Sequence, residues 1–153
     1  MKLQHKSLVF FFSLLISTFS FAQKKVTSPA ETVTGKINGA TITIKYGSPS
    51  VKGRAIWGAL VPYDKVWRAG ANDATTFETD KTITIEGKQL PAGKYSFFVI
   101  PNENESIIIF NKEAKQWGSY DYKASSDQLR VTVKNENGDA LVEKLEYKIM
   151  ETR

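Results

Sequence analysis

The sequence predicts an all-β fold: an antiparallel β-sandwich, jelly-roll-like, of about eight or nine short strands with one long irregular loop. Three observations predict it. Apolar and polar residues alternate with period two in one segment after another. Turn signals built from Gly, Pro, Asn and Asp separate those segments at roughly regular spacing. No window sustains a helical period, and residues 112–116 make one helical turn at most.

In chain order, residues 23–31 are polar, contain Pro29 and read as a flexible leader to a single domain over residues 32–150. Asn38-Gly39 is a tight-turn pair, so residues 33–37 and 41–46 form a hairpin whose second arm sets Ile42, Ile44 and Tyr46 on one face. Residues 47–72 carry Gly47, Pro49, Gly53, Gly58, Pro62 and Gly70 and form the irregular loop. Residues 75–79 and 82–85 are short strands, the second closed by Glu86-Gly87. Leu90-Pro91-Ala92-Gly93 is a turn that launches residues 94–100, where Tyr95, Phe97 and Val99 alternate with Ser96, Phe98 and Ile100. Both faces are largely apolar, which suits a central strand covered on both sides and predicts a fully buried Phe97. Residues 101–105 break that strand, and 106–110 follow as another buried one. Residues 129–134 alternate cleanly, Asn137-Gly138-Asp139 turns the chain, and Leu145, Tyr147 and Ile149 mark a last strand with one apolar face.

Residues 1–22 are expected to be a cleavable signal peptide. Lys2 and Lys6 give a positive start, residues 8–21 an apolar run too short to span a bilayer comfortably, and Ser20-Phe21-Ala22 a small-x-small cleavage site. Ser13, Ser17, Thr18 and Ser20 interrupt the run, which argues against a retained anchor. Cleavage before Gln23 would remove five of the nine Phe residues, the single histidine His5 and two lysines, lowering the formal charge from +5 to +3. The expected location is the periplasm or the cell exterior, with no stable membrane anchor after cleavage. The chain has no cysteine, so neither disulfides nor lipid attachment through an N-terminal Cys is open to it, and stability rests on the core. The lysines are scattered, the pattern of a solvated surface rather than a nucleic-acid or membrane footprint.

Longer motifs run through the irregular loop and beyond it. They are Tyr46-Gly47-Ser48-Pro49-Ser50-Val51-Lys52-Gly53-Arg54, Ile56-Trp57-Gly58-Ala59-Leu60-Val61-Pro62-Tyr63 and Val66-Trp67-Arg68-Ala69-Gly70-Ala71-Asn72. Leu90-Pro91-Ala92-Gly93-Lys94-Tyr95-Ser96 and Trp117-Gly118-Ser119-Tyr120-Asp121-Tyr122 follow. In content and order they resemble the domain of unknown function 2911 family, secreted proteins found mainly in Bacteroidota. The resemblance covers almost all of the chain after residue 22. It implies an exported, β-rich protein and carries no activity with it.

After cleavage the chain would hold neither His nor Cys. A Ser-His-Asp or Cys-His nucleophilic system then lacks its base or its thiol. Zinc, haem and iron–sulfur clusters lack their usual ligands, so no metal or other cofactor is expected. Gly47-Ser48-Pro49-Ser50 leads into no helix and is not a phosphate loop. Three chemistries survive. Carboxylate acid/base catalysis has Asp73, Glu78 and Asp121 as its best-placed candidates, although ordinary surface carboxylates are the stronger reading. Ser48 or Ser50 with Lys52 could form a serine–lysine pair, a commonplace combination in turns. Asn102-Glu103-Asn104-Glu105 is acidic enough for calcium but lacks the spacing and glycine of a calcium loop.

The aromatic and arginine residues say more. Trp57, Trp67 and Trp117 sit in or beside loops with Tyr63, Tyr120 and Tyr122. Indole faces stack on sugars and other flat ligands; alternatively such rings plug the open ends of a sandwich. The plug is the stronger reading for Trp57 and Trp67, in the company of Ile56, Leu60, Val61 and Val66, while Trp117 and Tyr120-Asp121-Tyr122 stand evenly between the two. Arg68, ahead of Ala69-Gly70-Ala71 and Asn72, could hold a ligand carboxylate or phosphate. The favoured alternative is an internal ion pair with Asp64, Asp73 or Glu78. The expected ligand site comprises Arg54, Trp57, Arg68, Asn72, Trp117, Tyr120 and Tyr122, on a binding or structural module of the cell envelope that recognises a glycan or small polar ligand. The alternative is a metal-independent, carboxylate-based hydrolase or lyase in the same cleft. No nucleic-acid partner is expected, and the residues do not set the oligomeric state.

Overall fold

The computed structural model describes residues 27–151. The expected signal peptide and its cleavage site lie outside them. Strands β1 (Ala30–Ile37) and β2 (Ala40–Gly47) form a hairpin across Asn38 and Gly39, both at positive φ, as a two-residue primed turn requires. β1 thus begins two residues ahead of residue 32, where the sequence sets the start of the domain. β3 (Thr76–Thr79), β4 (Ile83–Ile85), β5 (Lys88–Leu90), β6 (Gly93–Pro101), β7 (Glu105–Asn111) and β8 (Asp127–Lys134) follow. The fold is all-β and antiparallel, as the alternation predicts. Six strands make one sheet in the order β1-β2-β3-β6-β7-β8, and β4 pairs with β5 in a second, smaller sheet.

Each face of the large sheet has its own apolar cluster. On one face Ile42, Ile44, Phe77, Tyr95, Phe110, Leu129 and Val131 form the main core. Leu90, Ile83 and Ile85 of the small sheet close it, with Tyr147 and Ile149 from the C-terminal stretch. Phe110 meets Phe77 and Phe97 edge-on at 5.1 and 5.5 Å, geometry that adds about 0.5–1.5 kcal/mol per pair beyond the area buried. On the opposite face Ala74, Phe98 and Ile109 pack beneath Val66 and Tyr122. β6, in the interior of the sheet, serves both clusters.

Three local expectations need correction. Phe97 is only half-buried: its ring packs against Phe77, Phe110 and Tyr147 yet stays partly open to solvent, whereas its neighbour Phe98 has 0% exposure. β5 lies where the sequence shows only a turn, its short apolar signal limited to Leu90. Residues 112–116 form no helical turn, within the limit of one turn that the sequence sets; Asn111 Oδ1 accepts the Glu113 backbone N–H and a hydrogen bond from Gln116 Nε2, and the one short helix among the described residues is the 3-10 turn Ala124–Ser126. The last strand forms no ladder. Leu145, Tyr147 and Ile149 do turn inward, but they cross a sheet face rather than pair with a free edge. Tyr147 meets Tyr46 edge-on at 4.8 Å, and Ile149 fills the space over Gly35, where a Cβ would come within 2.7 Å of Ile149 Cγ2.

Candidate functional site

β3 is short, so one side of β6 beyond Ser96 is left for the long loop to pair with. Trp67 exchanges backbone hydrogen bonds with Val99 at 2.8 and 2.9 Å, and the Phe97 N–H donates to the Thr75 carbonyl at 2.7 Å. Val66, next to Trp67, packs on Phe98 and Ile109, which fixes the chain direction into Arg68.

The residues after Arg68 are held in a strained shape. Ala69 is fully buried at φ 57°, a left-handed conformation that costs an L-residue about 1–2 kcal/mol. Two hydrogen bonds converge on its carbonyl, from Thr75 Oγ1 at 2.9 Å and the Tyr147 hydroxyl at 2.7 Å. Burial pushes the Tyr147 phenol well above its usual range, so it stays a donor at physiological pH. Gly47 crosses directly beneath: the Ala71 N–H donates to its carbonyl at 3.1 Å, and a Cβ there would lie 2.2 Å from the Ala71 oxygen. Asn72 also sits at positive φ, and its Nδ2 donates to the Ser28 carbonyl at 3.3 Å.

From Asn72 the chain makes a short antiparallel ribbon with residues 116–118. The Ala74 N–H donates to the Gln116 carbonyl at 2.9 Å and the Gly118 N–H to the Asn72 carbonyl at 3.2 Å, which sets Asp73 opposite Trp117. The Tyr120 ring and the Arg68 guanidinium close around Gly118; a Cβ on it would stand 3.0 Å from the ring and 3.5 Å from Arg68 Nη1. Trp117 is 59% exposed and Tyr120 83% exposed.

Asn111 anchors the second arm of this ribbon. It is fully buried at the end of β7, donates to the Lys123 carbonyl at 3.0 Å and to Asp127 Oδ1 at 2.8 Å, and accepts from Glu113 and Gln116. Asp127 also accepts from the Tyr122 hydroxyl and from Arg130 Nε, each at 2.6 Å, and Arg130 donates to the Tyr122 hydroxyl as well. Burial first, then the hydrogen bond to Asp127, pushes the Tyr122 phenol up.

The ion pair favoured for Arg68 does not form. The two ion pairs among the described residues are Arg130–Asp127 and Lys148–Glu146, and no oxygen of Asp64, Asp73 or Glu78 comes within reach of the Arg68 guanidinium. The loop is instead held by neutral hydrogen bonds at Ala69, which leaves the arginine uncommitted. Arg68 Nε and Gln116 Oε1 are the two buried side-chain polar atoms among the described residues with no hydrogen-bond partner in the chain.

The expected site residues separate into groups. Arg68, Asn72, Trp117 and Tyr120 gather on the ribbon. Tyr122 packs edge-on against Phe98 at 5.1 Å and is engaged with Asp127. Arg54 donates to the Ser50 and Val51 carbonyls and shapes its own turn. Trp57, read as a plug, is 56% exposed; it stands edge-on to Trp67 at 5.5 Å beside exposed Leu60. The Trp67–Val99 pairing turns that patch toward the face of β6 opposite Val66 and Phe98. Asp73, Glu78 and Asp121 are all exposed and accept no side-chain hydrogen bond among the described residues. The Ser48–Lys52 pairing is excluded, because the Ser48 hydroxyl is buried and donates to the Leu145 carbonyl at 2.8 Å. Asn111, Thr75 and Tyr147 organise the site, and the sequence signals little of this: it marks Tyr147 only as inward-facing, and Asn111 only as continuing the inward register of Ile107 and Ile109.

A groove of about 420 Å³ opens beside the ribbon, walled by β1, β2, β3 and residues 71–74 and 114–116. Across residues 28–153 the chain matches the family described as protein of unknown function (DUF2911). The chain belongs to this family. No curated protein and no solved structure matches it. Membership in the DUF2911 family thus fixes lineage and leaves activity to be argued from the ribbon and groove.

Proposed function

We propose that the chain is an exported ligand-binding module that recognises a glycan or small polar ligand on the 72–74/116–118 ribbon. One observation carries the reading. Two largely exposed aromatic rings, Trp117 and Tyr120, stand on or just after a hydrogen-bonded ribbon, beside an arginine that no acidic side chain among the described residues neutralises. An aromatic face and a free guanidinium are the pair that sugar and carboxylate recognition needs, and the strain at Ala69 supports a segment shaped in advance of binding. Export rests on the charged start, apolar run and cleavage site of residues 1–22. Intact-mass measurement of the secreted protein is expected to find Gln23 first; a product that keeps Met1 would remove the export proposal.

The binding reading is tested with a glycan array and thermal-shift screen on wild type, Trp117→Ala and Arg68→Ala. Both variants should melt close to wild type, since Trp117 is an exposed ring and Arg68 holds no ion pair. Each should lose most of the binding found for wild type. Unfolding of Trp117→Ala would make its indole a structural element and sink the platform. Unchanged binding in both variants would move the ligand elsewhere.

A further inference from the structure

The groove beside the ribbon has a lining rich in charged side chains. Three lysines line it: Lys45 on β2, Lys94 on β6 and Lys115 just ahead of the ribbon. Lys45 pairs across strands with Thr32 on β1 and Thr76 on β3, and all three line the same groove. Two acidic residues, Glu31 and Asp73, share the lining, and neither makes an ion pair with a lysine among the described residues. A groove whose ammonium groups outnumber its carboxylates and remain unpaired carries a positive potential that its walls concentrate.

Groove and aromatic platform are continuous. Asp73 lines the groove and faces Trp117 across the ribbon, so their Cβ atoms are cross-strand neighbours about 4.5–5.5 Å apart. Gln116, the residue before Trp117, also lines the groove, and its Oε1 has no partner in the chain. A volume of about 420 Å³ falls in the range of small-ligand sites. We infer that the ligand is an acidic glycan. A sugar ring stacks on Trp117, and the neighbouring uronate residues run into the groove, their carboxylates met by Lys45, Lys94 and Lys115. The inference rests on the binding reading above and adds the charge class and the path of the chain.

The test uses three probes: an oligogalacturonate, a neutral glucan oligosaccharide of equal length, and a single-stranded oligonucleotide of matched charge. They are titrated against wild type, Trp117→Ala and the triple variant Lys45→Gln/Lys94→Gln/Lys115→Gln, whose positions are exposed and whose fold is checked by circular dichroism. Wild type should prefer the oligouronate. The triple variant should bind it roughly tenfold more weakly, the order expected of three partly screened charge contacts. Raising salt from about 50 to 500 mM should weaken wild type more than the triple variant, because screening removes what the lysines contribute. Equal affinity for neutral and acidic sugars, unchanged in the triple variant but lost in Trp117→Ala, would overturn the groove and leave the platform standing. Tighter binding of the oligonucleotide would overturn the sugar assignment. Absence of binding to any of the three, or binding indifferent to Trp117→Ala, would overturn both the groove and the platform.

Discussion

Phe98→Ala is expected to destabilise the fold by about 3–5 kcal/mol in a urea titration. Phe98 has 0% exposure and belongs to the cluster with Ala74 and Ile109 that joins the long loop to the sheet. Val66 and Tyr122 pack on it from the two segments that also carry Arg68 and Trp117. Removing the ring leaves a cavity that two loop segments share, each pinned by hydrogen bonds and unable to collapse fully into the space. The half-buried Phe97 is the internal comparison. Its alanine variant should lose less, because part of its surface already meets solvent. A larger loss at Phe97 than at Phe98 would mean that the face bearing the main core, not the loop-covered face, carries β6.

Asn111→Ala should cost on the order of 3 kcal/mol, an unusual penalty for a small polar side chain. Its amide donates to Lys123 and Asp127 and accepts from Glu113 and Gln116, all at a site with no exposure. Alanine would leave those partners facing an apolar methyl, with Asp127 short of one of its donors. The loss should not be confined to stability. Residues 112–126, released at their root, would no longer hold Trp117 against Asp73, so ligand affinity should fall along with the denaturation midpoint. A variant as stable as wild type to within about 0.5 kcal/mol would show that the polar hub is dispensable.

Much of the sheet was legible from alternation. Ile42, Ile44 and Tyr46 share a face as their spacing requires, and Asn38-Gly39 makes the hairpin turn. The C-terminal stretch shows where that signal runs out. Leu145, Tyr147 and Ile149 carry a strand pattern, but periodicity reports an inward face and not a ladder, so a segment lying across a sheet looks the same as one paired beside it. β5 was too short to give any pattern. Phe97 and Phe98 illustrate a second limit, since a strand apolar on both faces does not reveal which face has the thicker roof.

The site was legible by residue type more than by geometry. Trp117, Tyr120, Arg68 and Asn72 all stood out, and the ribbon gathers them. Trp57 stood out equally yet lies with Trp67 on a separate patch, because the pairing with Val99 sends successive residues of the loop to opposite sides of β6. The ion pair favoured for Arg68 failed for a physical reason. The loop gains its rigidity from a doubly accepting carbonyl at Ala69 and a close crossing at Gly47, neither of which charge counting can detect.

The central claim, that the ribbon is where this protein meets its ligand, is tested most directly by heteronuclear NMR during titration with the oligogalacturonate. The account predicts that the largest chemical-shift changes fall on the Trp117 indole N–H, the Arg68 Nε–H and the backbone of Asn72, Asp73 and Gly118. Smaller changes should follow along the groove at Lys45 and Lys94. Changes confined to Trp57, Leu60 and Trp67, with the ribbon signals unmoved, would contradict it.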